Sequence, residues 1–399
     1  MSYGPRPHMN AHAHRNSFSA AAYTGYFNAP PSNPYRNPSK KSLTFDCAWP
    51  VYALDWSRWP RSGTRGFGRI ALGSFSDDMG NRLQVLQQSD DGELQKVAEV
   101  DATLPYPVTK VMWEPPRTDK NDANMLATCG DYLRVFSMTQ GDGRFPGKIT
   151  QEVLLGNTKA DFPAPLTSFD WNKIDPAMIV TASVDTTCTV WDLNTAQART
   201  QLIAHDKEVF DVTFTANTTD VFASVGSDGS VRLFDLRALE HSTIIYESPT
   251  ADGSPNATSP GMSNNSNSPS VGNAAPLLRL SACERDTNLL ATFAADSNTV
   301  QVLDIRRPGS AILQLESHAG SINALEWAPD SRSLLATCAD DSQVLVWDCN
   351  NADQSSGPAK CREPVLAWTA ESEVNNISWS AEGDRLCAAY GKSVQVLKI

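Results

Sequence analysis

The sequence predicts an all-β fold, a ring of seven radially packed four-stranded sheets, on three observations. The first is repetition. Ala204–Arg237 reads AHDKEVFDVTFTANTTDVFASVGSDGSVRLFDLR and Ser317–Asp348 reads SHAGSINALEWAPDSRSLLATCADDSQVLVWD. Both pass from a His through an alternating apolar strand ending in an aromatic, a polar turn, a small-residue strand, an Asp turn and a strand ending aromatic–Asp. A period of this kind marks a unit that buries its apolar face only against neighbours, and four short strands per unit make a β-propeller blade. The second is the count of first-strand ends: Trp56, Trp113, Trp171, Phe214, Trp327 and Trp379, with Ala282 at the equivalent place of a weaker unit. The third is a fixed apolar offset before each aromatic, as in Val108/Val111, Leu166/Phe169, Val209/Val212, Ile322/Leu325 and Val374/Ile377.

Taken in order, residues 1–42 carry Pro, Asn, Ser, Gly and Tyr without periodicity, which predicts a disordered tail. Residues 43–399 form the propeller. Successive closing residues are 57, 58, 43, 68, 45 and 52 apart. The step of 68 shrinks to the usual blade length of about 40–45 once residues 247–275 are set aside. That segment holds the low-complexity run Ser248–Ala275, expected as a mobile insertion between blades 4 and 5. Its four Ser-Pro dipeptides, at Ser248, Ser254, Ser259 and Ser268, offer proline-directed phosphorylation. Second and third strands such as MIVTASVDTTCTVWDL are nearly continuous apolar runs, as strands buried on both faces require. The chain ends at GKSVQVLKI, three strands into the seventh unit, while LTFDCAWPV (Leu43–Val51) precedes the first. The N-terminal strand is therefore expected to complete the last blade and protect its edge.

The 399 residues are 41% hydrophobic and 20% charged, with a formal net charge of −12. Nucleic-acid binding draws its affinity from Lys and Arg, so this acidity argues against direct contact with DNA or RNA. No apolar run approaches the roughly 18–20 residues of a membrane span, and MSYGPRPHMN has no secretory apolar stretch. Eight cysteines without a CxxC pair read as small buried hydrophobes in a reducing compartment, with no zinc site. No metal or cofactor is expected.

The strongest local constellation is His318, Thr337, Asp341 and Trp347. Its offsets return at His205, Ser224 and Asp228, with Phe234 in the Trp place. His, Asp and a hydroxyl also spell a hydrolase triad. An active site is not duplicated, however, so both sets read as buried polar groups satisfying one another. The unit at Thr181, Asp185 and Trp191 lacks the His, and those around Phe136, Leu303 and Leu397 lack the terminal Trp. There is no GxGxxG, GxxxxGK[ST], HExxH or GxSxG motif in a fitting context, and paired acids such as Asp340/Asp341 fall in turns. The chain reads as no enzyme.

Several strings are more specific: APLTSFDWN (Ala164–Asn172), SVDTTCTVWDL (Ser183–Leu193), TQLIAHDKEVFDV (Thr200–Val212), FASVGSDGSVRLFDLR (Phe222–Arg237), LEHSTIIYE (Leu239–Glu247), GDYLRVF (Gly130–Phe136) and TAESEVNNISW (Thr369–Trp379). Together they resemble the Transparent Testa Glabra / Anthocyanin-eleven family of WD-repeat adaptors over about 44–399. The resemblance implies a seven-bladed WD-repeat β-propeller in which the His–Asp–hydroxyl–Trp sets are structural tetrads. It also implies a non-enzymatic scaffold. Plant members bridge Myb and basic helix-loop-helix transcription factors, and animal members associate with dual-specificity tyrosine-regulated kinases and with Cullin-4 ubiquitin ligases. The ligase role is tied in the family to a sixteen-residue box ending aromatic–Asp–x–Arg. Phe222–Arg237 fits that box through Phe234, Asp235 and Arg237, and Ala291–Arg306 fits it more weakly through Arg306. The alternative for each arginine is a salt bridge within the ring.

Propellers bind partners where loops lead into the innermost strands. If the residue five before each closing position faces the core, alternation aims those four and six before it at the rim and channel. These include Pro107 and Thr109, Pro165 and Thr167, Glu208 and Phe210, Ser321 and Asn323, Glu373 and Asn375, with Tyr52 and Leu278 completing the circle. Phe210 stands out as an aromatic among Thr and Asn equivalents, a candidate hot spot or a packing residue against the next blade. Glu208 and Glu373 give the rim an acidic cast suited to basic segments. The expectation is a monomeric ring in cytoplasm and nucleus that assembles kinases or transcription factors. The alternatives are a Cullin-4 substrate receptor and a propeller enzyme using Glu208 or Glu373 as base.

Overall fold

A computed structural model describes residues 43–399, apart from 60–67, 77–79, 90–91, 101, 119–123, 140, 142–146, 157–162, 250–273 and 354–356. The expected tail and most of the expected insertion lie outside the described residues. Every regular element described is a β-strand. The strands form seven four-stranded antiparallel blades. The innermost are Val51–Trp56, Lys110–Trp113, Leu166–Trp171, Val209–Phe214, Leu277–Ala282, Ile322–Trp327 and Val374–Trp379. Each ends on the closing residue read from the sequence, and each touches the innermost strand of the next blade, so that the last meets the first.

The apolar core lies between blades rather than within them. Among the described residues it divides into seven clusters, one at each junction. Met178, Val180 and Val190 of the third blade pack on Val209, Phe214 and Phe222 of the fourth, and Val394 and Val396 of the seventh pack on Val51, Leu54 and Trp56 of the first. A single blade would leave both of its apolar faces in water. The ring is therefore the smallest stable unit, held mainly by hydrophobic burial.

Closure uses the chain's two ends. Leu43–Asp46 pairs antiparallel with Ser393–Lys398 as the outer strand of the seventh blade, in the register Leu43↔Val396 to Asp46↔Ser393. The Ser393 hydroxyl donates to Asp46 Oδ1 at 2.7 Å, and the amides of Cys47 and Val51 bond the carbonyls of Lys392 and Gly391.

Two pairings have no counterpart in the sequence reading. The outer strands of blades 1 and 2, Leu94–Val100 and Gly147–Leu155, run parallel and bond over Ala98↔Gly147 to Val100↔Ile149, joining two blades into one eight-stranded sheet. Ala359–Cys361 adds in parallel to Leu313–Glu316, the outer strand of blade 5. Both cover edges that would otherwise be open to another chain. The roots of the insertion also meet: the buried Ser248 hydroxyl donates to the Ala275 carbonyl at 2.6 Å. Of the four Ser-Pro serines, Ser248 is thus turned inward, and the other three lie outside the described residues.

Candidate functional site

The innermost strands share one irregularity that decides what faces the channel. Six of them carry a register shift between the residues five and three before the closing position, for example Val51/Ala53, Val209/Asp211 and Val374/Asn376. Such a bulge leaves one residue unpaired and resets the alternation. The residue five before the end is consequently buried, those four before it all line the channel, and so do most of those three and one before it, Ala53 packing instead in the core between blades 1 and 2. Plain alternation would have turned the residue three before the end toward the core if the one four before it faced the channel. Lys110, Asp211, Arg279 and Asn376 at that position, and Asp55, Asp170, Ser281, Glu326 and Ser378 at the last, went unread as channel residues for this reason. Their signal in the sequence was a polar or charged residue within a strand whose alternate positions are apolar.

The channel holds two cavities. The upper, of about 350 Å³, is lined by Tyr52, Thr109, Thr167, Phe210, Leu278, Arg279, Ile322, Asn323, Asn375 and Asn376. All seven residues four before the closing positions therefore meet on one wall, and all are half-buried. Pro107, Pro165, Glu208, Ser321 and Glu373 lie outside this lining. Glu208 and Glu373 are exposed, and the carbonyls of Glu208 and Ser321 accept the amides of Ser227 and Asp340. The lower cavity, of about 410 Å³, is bordered by Asp55, Arg58, Lys110, Asp170, Asp211, Arg279, Glu284 and Glu326 among others.

Most channel side chains are bolts between blades. In the upper ring the side chain four before the end donates to the carbonyl five before the end of the next blade. Thr109 Oγ1 reaches Leu166 O at 3.0 Å, Thr167 Oγ1 reaches Val209 O at 2.7 Å, Asn323 Nδ2 reaches Val374 O at 3.0 Å and Asn375 Nδ2 reaches Val51 O at 3.4 Å. Tyr52, Phe210 and Leu278 interrupt this ring; Phe210 and Leu278 have no donor to give. In the lower ring the last channel side chain accepts the amide of the next blade's closing residue. Asp55 takes Trp113 N at 2.7 Å, Asp170 takes Phe214 N at 2.7 Å, Glu326 takes Trp379 N at 3.1 Å and Ser378 takes Trp56 N at 3.0 Å. Between the rings, Lys110 Nζ lies 3.4 Å from Asp211 and 3.1 Å from Ser168 Oγ, while Asp211 Oδ2 accepts Leu280 N at 2.9 Å. Arg58 pairs with Glu326, and Lys173 with Glu284 at 2.5 Å.

Burial sets the protonation of this channel. It pushes the Asp55 carboxyl up to about 7, against the pull of the Trp113 amide and with help from the Glu326 charge. Burial likewise raises Glu326 despite Arg58, and raises Asp170 despite Lys173 and Lys110.

The two His sets lie inside blades, away from the channel. His318 Nδ1 sits 3.0 Å from Asp341 Oδ2 and its Nε2 2.7 Å from Thr337 Oγ1, which accepts the Trp347 indole N–H at 2.9 Å. His205 repeats this with Asp228 at 3.0 Å and Ser224 at 2.7 Å. Phe234, which has no N–H, stacks instead on Phe222 with ring centroids 5.0 Å apart. Arg232 Nη2 adds a bond to Asp228 at 2.9 Å. Burial pushes Asp228 up, but the hydrogen bond and charge of His205, with Ser230, outweigh it and hold the carboxyl below its usual range. In blade 3 the Trp191 indole still bonds Thr181, and Asp185, without a His, turns to its own Thr187.

Arg237 and Arg306 occupy equivalent turns of blades 4 and 5. Arg237 Nε and Nη2 lie 2.9 and 2.6 Å from the oxygens of Asp235, and Arg306 makes the same pair with Asp304. Each forked pair closes its own turn while the arginine side chain stays 69% and 64% exposed. The corresponding turns of blades 3 and 6 carry Asn194 and Asn350. All eight cysteines are unpaired, and all but Cys349 are buried. Among the described residues no group of His, Cys, Asp and Glu is placed to hold a metal.

The WD domain, G-beta repeat family profile matches residues 197–235 and 309–348, the two stretches that carry the His sets. The chain is 42% identical to the DDB1- and CUL4-associated factor 7 homolog of Dictyostelium discoideum, over 90% of this chain and 99% of that protein. It is 40% identical to an uncharacterized WD repeat-containing protein of Schizosaccharomyces pombe, over 90% of both chains. A WD repeat-containing protein of Saccharomyces cerevisiae is 41% identical over 86% of this chain and 65% of its own length. With seven blades joined through one channel and likeness of this extent, the chain belongs to the WD-repeat protein family.

Proposed function

We propose that the chain is a non-enzymatic scaffold, working in cytoplasm and nucleus, that assembles protein complexes on the face where the upper cavity opens. One observation carries the reading. Thr and Asn bolt four of the blade junctions at the cavity wall, whereas Phe210 and Leu278 place apolar side chains there and leave their junctions without the bolt. A half-buried aromatic ringed by polar groups is the usual chemistry of a binding hot spot. The finer reading is an adaptor of the Transparent Testa Glabra / Anthocyanin-eleven type with kinases and transcription factors as partners. It rests on the long specific strings in the sequence.

A second reading, substrate receptor of a Cullin-4 ligase, is favoured by the matched Asp235–Arg237 and Asp304–Arg306 turns on adjacent blades and by the name of the Dictyostelium relative. Affinity capture from the native organism with mass spectrometry tests both. Kinases or transcription factors lost from a Phe210→Ala variant support the scaffold. Cullin-4 components lost only from an Arg237→Ala/Arg306→Ala variant support the receptor. Recovery of neither class from the intact protein overturns both.

A further inference from the structure

We propose that the upper cavity receives an acidic side chain from the partner segment, a carboxylate held by Arg279. This rests on the scaffold reading and names the chemistry of its contact. While Arg285 of the lower cavity donates to the Pro329 carbonyl, three other channel cations already face a carboxylate: Lys110 faces Asp211 at 3.4 Å, Arg58 faces Glu326 and Lys173 faces Glu284. Arg279 does not. Its Nη2 donates to the Tyr52 hydroxyl at 3.0 Å and its Nη1 to the Leu278 carbonyl at 3.3 Å, both neutral acceptors. Asp211 acts on Arg279 through its charge alone, because no hydrogen bond joins the two and its oxygens accept from Lys110, Ser168 and the amides of Val212 and Leu280.

Arg279 is half-buried where the upper and lower cavities meet, so its charge is only partly hydrated, and its hydrogen bonds go to neutral acceptors. A charge in that position gains most from an opposite charge brought to it. The guanidinium carries five N–H donors in a planar fork, and a carboxylate accepts two of them side by side. Phe210 and Leu278 beside it supply apolar surface for the methylene stem of Asp or Glu. The Lys110 ammonium is near enough to feel the Arg279 charge, although Asp211 and Asp170 outweigh it there. The exposed Glu208 and Glu373 each stand two residues before a cavity-wall residue, Phe210 and Asn375, so a matching segment carries basic residues flanking one acidic residue.

The probe is a phage-displayed library of random dodecapeptides panned on the full chain. The expected result is a fixed Asp or Glu in the selected consensus. Its change to Gln in the synthetic peptide weakens binding at least tenfold by fluorescence anisotropy. Arg279→Gln weakens binding of the parent peptide equally, and the two losses do not add. The peptide-side change reads the contact even if Arg279→Gln unfolds. A consensus lacking an acidic position overturns the proposal, as does a peptide indifferent to its Glu→Gln change. Selected peptides rich in Lys or Arg alone, lost on Glu208→Gln and Glu373→Gln, overturn it while leaving the scaffold reading standing. Failure to select any peptide, with no partner captured, overturns both.

Discussion

The backbone amide of Trp56 donates to the Ser378 hydroxyl at 3.0 Å, joining first blade to last across 322 residues of chain. Leu43–Asp46 seals the same junction from outside, so unfolding of the ring should be cooperative. Deleting Leu43–Trp49 removes a ladder worth roughly 1 kcal/mol per hydrogen bond and uncovers apolar surface. It should lower the unfolding free energy by at least about 4 kcal/mol in urea titration. An unchanged midpoint contradicts closure by the N-terminal strand.

The Thr and Asn residues of the upper cavity are read as bolts, and their removal should be felt as stability. Thr167→Val keeps the volume and deletes the 2.7 Å bond to Val209 O. It should cost about 1 kcal/mol in urea titration and leave partner capture intact.

The tetrads give the protein an acid limit. Burial lowers the His318 pKa from 6.5 despite Asp341 beside it, so below that value the unfolded chain binds more protons than the folded one. Asp228, held below its usual 3.8, acts in the same direction at lower pH. Stability should therefore fall as pH drops below about 6.5, and fall less steeply in a His318→Gln variant, whatever that variant's own midpoint. Parallel curves for the two proteins would contradict the assignment.

The channel carboxyls act in the opposite sense. With Asp55 raised from 3.8 to about 7, the folded chain holds a proton that the unfolded chain releases, so stability contributed by the protonated form is lost as pH rises between those values. Asp55→Asn keeps an acceptor for Trp113 N and removes the titration. Thermal unfolding of that variant should gain on the wild type between pH 4 and pH 8, and no relative change would contradict the shift.

The radial plan was legible because it depends on local pattern. Trp56, Trp113, Trp171, Phe214, Trp327 and Trp379 mark strand ends, and even Ala282, where the ring is missing, ends its strand on cue. The residues four before them share one wall, yet plain alternation cannot keep the preceding residue in the core and also turn the following one to the channel. That takes the bulge, which follows from strand twist and blade packing and has no single residue signature, since Tyr52, Thr167, Phe210 and Asn375 all occupy it. The parallel pairing of Ala98–Val100 with Gly147–Ile149 was likewise hidden, because it joins segments that only the closed ring brings side by side.

The account's central claim is that Phe210 serves partners where its Thr and Asn equivalents serve the ring. Phe210→Asn installs the bolt found at Asn323 and Asn375, so unfolding and partner capture can be measured on one variant. The prediction is stability equal to or about 1 kcal/mol above the wild type, with partner recovery reduced at least tenfold. A destabilised variant that still captures its partners in full would make Phe210 a packing residue and contradict the claim.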